Sequence, residues 1–381
     1  MTFTKNDTLV AKGIAVILLL IHHLFYSKDY GFSSFLLSRT DWVNLAKISK
    51  ICVAMFLILS GYGLAASYRK KMPKALSFYG HSFSRLYGEF LPVSVLFFLI
   101  SLCLNDWNLA AIYGKRWLLS NLRSVLGLSY FSNIDGINGS WWFISLLIVL
   151  YFLFPLLYKI VQKVPLETVV VSLLLFYLPP HFTNENYFLK RIFKCLLLKS
   201  DIQGPLTCWL NPFIIGIAME RLCFFERIKI WEYKTKTFCF FFSFVILAYM
   251  RLVFLRGHPS GHMTGVDSFI AVSLITFVWL SVHGTAFKIL AFVGKHSMNI
   301  YFVHIFIMLV YLKNITYILK YPPLILLQLL LICLSFSVVL EKTKEVLRQF
   351  LKREKKNLSP PNEMSIYSGN GGNVIDSGKP D

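Results

Sequence analysis

The chain has 381 residues, of which 56% are hydrophobic and only 15% charged, with 35 phenylalanines and a mean hydropathy of +0.60. Too few polar residues remain to clothe a water-soluble domain of this size, so a soluble globular enzyme is excluded and a multispan membrane protein is expected. The net charge of +20, from 39 basic and 19 acidic residues, does not point to nucleic acid, because the basic residues gather at the ends of apolar runs, where lipid headgroups and phosphorylated ligands are simpler partners.

Ten spans are expected, at about 8–27, 45–67, 86–104, 142–161, 166–180, 207–223, 237–255, 266–282, 292–312 and 323–341. The fold class is therefore all-α, a polytopic helical bundle with about ten transmembrane helices. The fifth run is short, and 118–131, interrupted by Asn121 and Arg123, reads as a partly amphipathic helix in a loop. The apolar run at the N-terminus lacks a small-residue cleavage site, which argues against a signal peptide.

The first run, from Leu9 to Tyr26, carries Lys12 near its start and His22-His23 near its end. Ionisable groups are expensive in a membrane helix, so a functional role is the default reading. Lys12 and His23 are eleven residues apart, about three turns and roughly 16 Å along an axis. That separation suits a long anionic substrate whose reactive end meets a base. The second run contains Ser60, Gly61 and Gly63, which permit either close helix packing or ligand entry. At the start of the third, Arg85 is a candidate clamp for an anion, with Glu89 one turn on as an ion-pair partner. Asn138-Gly139 is expected to turn the chain, and Trp141-Trp142 to mark an interfacial entry into the fourth run. Tyr151 places a hydroxyl inside that run. Asp267 is either a polar partner or a helix cap, and His258 and His262 flank an external Pro-Ser-Gly loop. Glu89 and Glu220 are expected to be charge partners.

The loops after the second and sixth runs are rich in Lys and Arg, and so is the segment 342–356, which places both termini in the cytoplasm of a cell-membrane protein. The basic loop at 181–205 runs against this orientation. Residues 1–345 are read as the integral membrane domain, and 346–381 as a basic cytoplasmic extension with a disordered tail. The seven cysteines are scattered without close pairing, and no metal or nucleotide motif is present.

Several blocks occur in a telling order. Lys12-Gly13-Ile14-Ala15 precedes His23, and then come Phe56-Leu57-Ile58-Leu59-Ser60-Gly61-Tyr62, Ser84-Arg85-Leu86-Tyr87, Ser140-Trp141-Trp142-Phe143-Ile144, and Val293-Gly294-Lys295-His296-Ser297-Met298-Asn299-Ile300-Tyr301-Phe302-Val303-His304. This set resembles the acyltransferase-3 family of integral membrane O-acyltransferases over about residues 5–345. The resemblance implies transfer of an acyl group, usually acetyl from acetyl-CoA, to a hydroxyl of a cell-envelope carbohydrate or exopolysaccharide precursor. It implies His23 as the catalytic residue, with Lys12 standing where the family commonly has arginine, and Arg85 at a recurring arginine. Lys12 and Arg85 are the candidate donor-binding residues. Ser82 and Gly88 depart from the family's usual basic residue and proline. Tyr301 and His304 resemble its Tyr-x-x-His arrangement, and with His22, Ser60 and Tyr151 they are candidates for the cavity or for acceptor binding.

The expected partners are an acyl-CoA donor, a carbohydrate or lipid-linked sugar acceptor and membrane lipids. No tightly bound cofactor or metal is expected, and the oligomeric state stays open. A transporter or flippase for an envelope precursor is the alternative reading, since intramembrane histidines also line translocation paths.

Overall fold

A computed structural model describes residues 3–104, 117–128, 138–182, 206–257 and 265–358. The described residues are overwhelmingly helical. In chain order the helices are α1 (Lys5–Phe25), α2 (Arg39–Ile48), α3 (Ile51–Lys71), α4 (Ala75–Leu104), α5 (Trp117–Val125), α6 (Trp142–Lys163), α7 (Pro165–Phe182), α8 (Leu206–Arg221), α9 (Phe224–Ile228), α10 (Tyr233–Gly257), α11 (Gly265–Ser281), α12 (Gly284–Lys295), α13 (Ser297–Ile305), α14 (Lys313–Thr316) and α15 (Pro322–Leu358). The chain divides into two compact units, Met1–Ser335 and Phe336–Asp381. In the second, Lys344 pairs with Glu341 at 3.2 Å.

Six described helical segments are long and apolar enough to cross a bilayer, or seven if the bent pair α12–α13 and its continuation form one crossing. Helices cover all ten expected runs, yet α7, α8 and α11 have only 18, 16 and 17 residues and sit at the lower limit of membrane thickness. The count of ten is thus an expectation that length and composition do not bear out in full. The α10 segment Tyr233–Val253 has only 11% of its apolar window buried within the protein, so its remaining surface needs lipid. The loop segment expected to be amphipathic is α5, which Tyr87 of α4 holds by donating to the Leu126 carbonyl at 2.7 Å.

Between membrane helices there is little hydrophobic driving force, so close backbone packing and polar contacts must hold the bundle. Two glycine crossings supply the packing. At the first, Gly13 of α1 lies against the Leu290 carbonyl of α12, while Gly294 of α12 lies against the Leu9 carbonyl. At the second, Gly61 of α3 meets the Phe213 carbonyl of α8, and Gly216 meets that of Ile58. Gly61 is therefore a packing residue, whereas Gly63 faces open space. At the start of α1, Thr4 and Asp7 form a capping box, with Thr4 Oγ1 accepting from the Asp7 amide at 3.2 Å and Asp7 Oδ2 accepting from the Thr4 amide at 2.7 Å.

Asp267 is not a simple helix cap. It accepts from Arg251 Nε at 2.7 Å, and both side chains are buried between α10 and α11. Glu220 is a charge partner as expected, 2.8 Å from Arg69 Nε. Cys52, Cys103, Cys208, Cys223, Cys239 and Cys333 are free. His258, His262, Cys195, the loop 181–205 apart from its first two residues, most of 105–140, and the tail from 359 lie outside the described residues.

Candidate functional site

The last turn of α1 carries the histidine pair, so His23 sits near the end of its helix, at the level where α2 gives way to α3. Eleven residues at 100° each bring Lys12 and His23 back to within about 20° of one another, and Leu19 falls on the same stripe. A cavity of about 280 Å³ opens beside this end of α1, lined by Leu19, His22, His23, Tyr26 and Tyr30 on one side. Lys50, Cys52, Val53 and Phe56 at the start of α3 close another wall, and Ser140, Trp142, Phe143 and Tyr301 complete it.

His22 and His23 are adjacent in sequence but are held differently. The His22 Nδ1 lies 2.8 Å from the Ala46 carbonyl of α2. Because a carbonyl only accepts, that nitrogen carries the proton and the ring is tied to α2. The His23 ring lies 4.9 Å from His22 and 4.9 Å from His304, centroid to centroid. His304 is fully buried and is not part of the cavity lining; it sits behind His23. Its Nδ1 donates to the Tyr301 carbonyl at 2.8 Å and lies 3.2 Å from that of Ile300. The neutral ring then has a lone pair on Nε2, and this atom has no partner among the described residues.

The chain turn at Asn138–Trp141 forms the wall opposite. Asn138 Oδ1 accepts from the Ser140 amide at 2.8 Å and from its hydroxyl at 2.7 Å. Asn138 Nδ2 and Trp141 Nε1 both donate to the Phe302 carbonyl, at 3.4 and 3.3 Å, and the Tyr301 hydroxyl donates back to the Ser140 carbonyl. The turn and α13 are thereby locked together. Trp141 is fully buried rather than an interfacial anchor, and Trp142 lines the cavity. The anchoring reading fails because the turn folds back onto α13. The bend of 61° between α12 and α13 and the π-pitched segment Phe306–Tyr311 flank this lock, an irregularity often placed where helices carry function.

Of the residues expected in the cavity, His22, His23 and Tyr301 line it, with the Tyr301 hydroxyl committed to the backbone. Ser60 and Tyr151 do not line it, and His304 is one layer removed. Ser60 lies about one turn of α3 beyond the lining residue Phe56, and Tyr151 about two turns along α6 from Phe143. Lys12 and Arg85 are also absent from the lining. They form a second grouping, in which Arg85, exposed on α4, lies within electrostatic range of both Lys12 and Tyr151. Near that end of α1, Phe3 stacks on Phe225 at 4.0 Å and packs edge-on to Tyr62.

Lys50 was not anticipated, although an ammonium inside an expected span is itself a signal for function. Among the described residues no group of three or more His, Cys, Asp or Glu side chains could hold a metal ion. No match was found among curated proteins or among solved structures. A family model described as an acyltransferase domain matches residues 10–342, a span that contains every residue of the site. With nearly the whole bundle inside that match, the chain belongs to the acyltransferase-3 family of membrane acyltransferases.

Proposed function

We propose that this protein transfers an acetyl group from acetyl-CoA to a hydroxyl of a cell-envelope carbohydrate, with His23 as the general base. The observation that carries the reading is the His23 ring at the cavity wall, backed by the open Nε2 of His304. The unpartnered His304 Nε2 takes up the N–H of His23 when the acceptor binds, which leaves the other His23 nitrogen as a lone pair for the hydroxyl. His304 is then a positioning residue, and His22, bound to Ala46, braces the pair from α2.

In the reaction, His23 takes the proton of the acceptor hydroxyl as its oxygen attacks the thioester carbonyl. The tetrahedral intermediate collapses, the C–S bond breaks, and the imidazolium returns the proton to the departing CoA thiolate. The products are an O-acetyl ester and free CoA. No metal enters this scheme. Lys12 and Arg85 hold the phosphates of CoA at the cytoplasmic end, and the stripe Lys12–Leu19–His23 guides the pantetheine arm toward the base. Both termini lie in the cytoplasm, so the acceptor enters from the opposite side of the cell membrane. The family supports acyl transfer and lends nothing to the transporter alternative.

The test is a transfer assay with the purified protein in lipid nanodiscs, radiolabelled acetyl-CoA and envelope glycans from the source cells. Label in an alkali-labile ester is the expected outcome. Movement of the glycan across the membrane of proteoliposomes, with no label transferred to it, would sink the proposal. In the same assay Lys12→Gln and Arg85→Gln each raise KM for acetyl-CoA about 10-fold or more, the worth of one hydrogen bond to a charged group, while KM for the acceptor holds. A KM for acetyl-CoA that ignores both changes would remove these residues from the donor site.

A further inference from the structure

Among the described residues that line the cavity, Lys50 is the one Lys or Arg and none is Asp or Glu. It stands in the break between α2 and α3, beside the positive end of the α3 dipole. Its ammonium has no hydrogen-bond or ion-pair partner among the described residues. A buried carboxylate, Asp267, is within electrostatic range of Lys50 but is already bonded to Arg251. The loop carboxylate Asp29, next to Tyr30, is exposed and accepts from Ser27 Oγ at 3.0 Å. His22 and His23 are also within electrostatic range of Lys50, so the cation and the base share one chamber. Around them stand the flat faces of Tyr26, Tyr30, Trp142 and Phe143, suited to packing against the C–H face of a sugar ring.

A lysine at this depth, whose buried carboxylate neighbour is already engaged by Arg251, is costly unless a ligand supplies a counter-charge of its own. We infer that the cavity selects an anionic acceptor, with Lys50 binding a carboxylate or phosphate oxygen on the sugar whose hydroxyl faces His23. This rests on the acyl-transfer reading for the role of the hydroxyl, but the anion site itself stands on the geometry. Neutral sugars of the same size then lack the contact that fixes the ring, and binding falls by the worth of a charged hydrogen bond, about 10- to 100-fold.

Binding of glucuronic acid, glucose 1-phosphate and glucose is to be measured by titration on the full chain in nanodiscs, for wild type, Lys50→Gln and Lys50→Arg. At least one anionic sugar is expected to bind 10-fold or more tighter than glucose, Lys50→Gln to abolish that preference at unchanged thermal stability, and Lys50→Arg to keep it. The carboxylate and phosphate arms tell which oxygen group the site takes. Equal binding of all three sugars, a preference that survives in Lys50→Gln, or no binding of either anion overturns the inference. A parallel transfer assay with labelled acetyl-CoA separates the two proposals. Lys50-dependent anion binding without transfer would sink acyl transfer and leave the site, whereas equal transfer to envelope glycans by wild type and Lys50→Gln would do the reverse.

Discussion

Replacing His23 by alanine is expected to lower kcat by about 10²- to 10⁴-fold, the range that a positioned general base contributes. The ring sits at the cavity wall with the His304 ring packed against it, whereas His22, which lines the same cavity, is tethered through Nδ1 to the Ala46 carbonyl of α2. His304→Ala is expected to lower kcat about 10- to 100-fold with KM for acetyl-CoA unchanged, since the hydrogen bond proposed to form to His23 as it becomes charged is lost. His304→Gln offers an amide oxygen in place of the Nε2 lone pair and is expected to recover part of the loss. A purely structural role for His304 would show no such rescue. In a His23→Ala background, His304→Ala adds little, because the two residues act as one unit. The measurement is steady-state transfer with each variant checked for folding by thermal melting. Turnover near that of wild type in folded His23→Ala would remove the catalytic assignment.

Gly13→Ala and Gly294→Ala are expected to be among the most damaging single-methyl changes in the bundle. Each new β-carbon would fall on a backbone carbonyl of the facing helix, Leu290 for the first and Leu9 for the second, and a backbone cannot rotate away as a side chain can. The helices must separate, at a cost of about 1–3 kcal/mol or more from overpacking. Since α1 carries both Lys12 and His23, its shift also disturbs the donor path and the base, and activity is expected to fall further than stability. Gly63→Ala is the matched control. It adds a methyl where nothing lies within 4 Å, and helix propensity makes it neutral or stabilising by up to about 1 kcal/mol. Thermal melts and kcat/KM of the three proteins decide the matter, and a Gly13→Ala variant that matches Gly63→Ala in both would refute the crossing as a constraint.

The membrane class was legible because composition alone leaves no other solvent for so much apolar surface. The phase between Lys12 and His23 was legible too, because helical periodicity is a local property. Trp141 was not. Its sequence neighbourhood matches an interfacial anchor, but a non-local bond from its indole to the Phe302 carbonyl draws it into the core. Ser60 and Tyr151, candidates for the cavity from the sequence, fall outside its lining, Ser60 about one turn past Phe56 and Tyr151 about two turns past Phe143. Lys50 was hidden inside an expected span that is in fact two helices, α2 and α3, with the lysine at the break.

By itself the amino-acid sequence determined that this protein is a multispan helical membrane acyltransferase, and it singled out His23 as the candidate base. These follow from solvent partition, helical period and the order of short blocks, all of which are written along the chain. Only the tertiary structure decided that His304 stands behind His23 rather than beside it, that the Asn138 turn and α13 form one wall, and that Lys50 faces the same chamber. Those relations join residues up to about 280 positions apart, and the packing of helices, not the pattern within any one of them, brings such residues together.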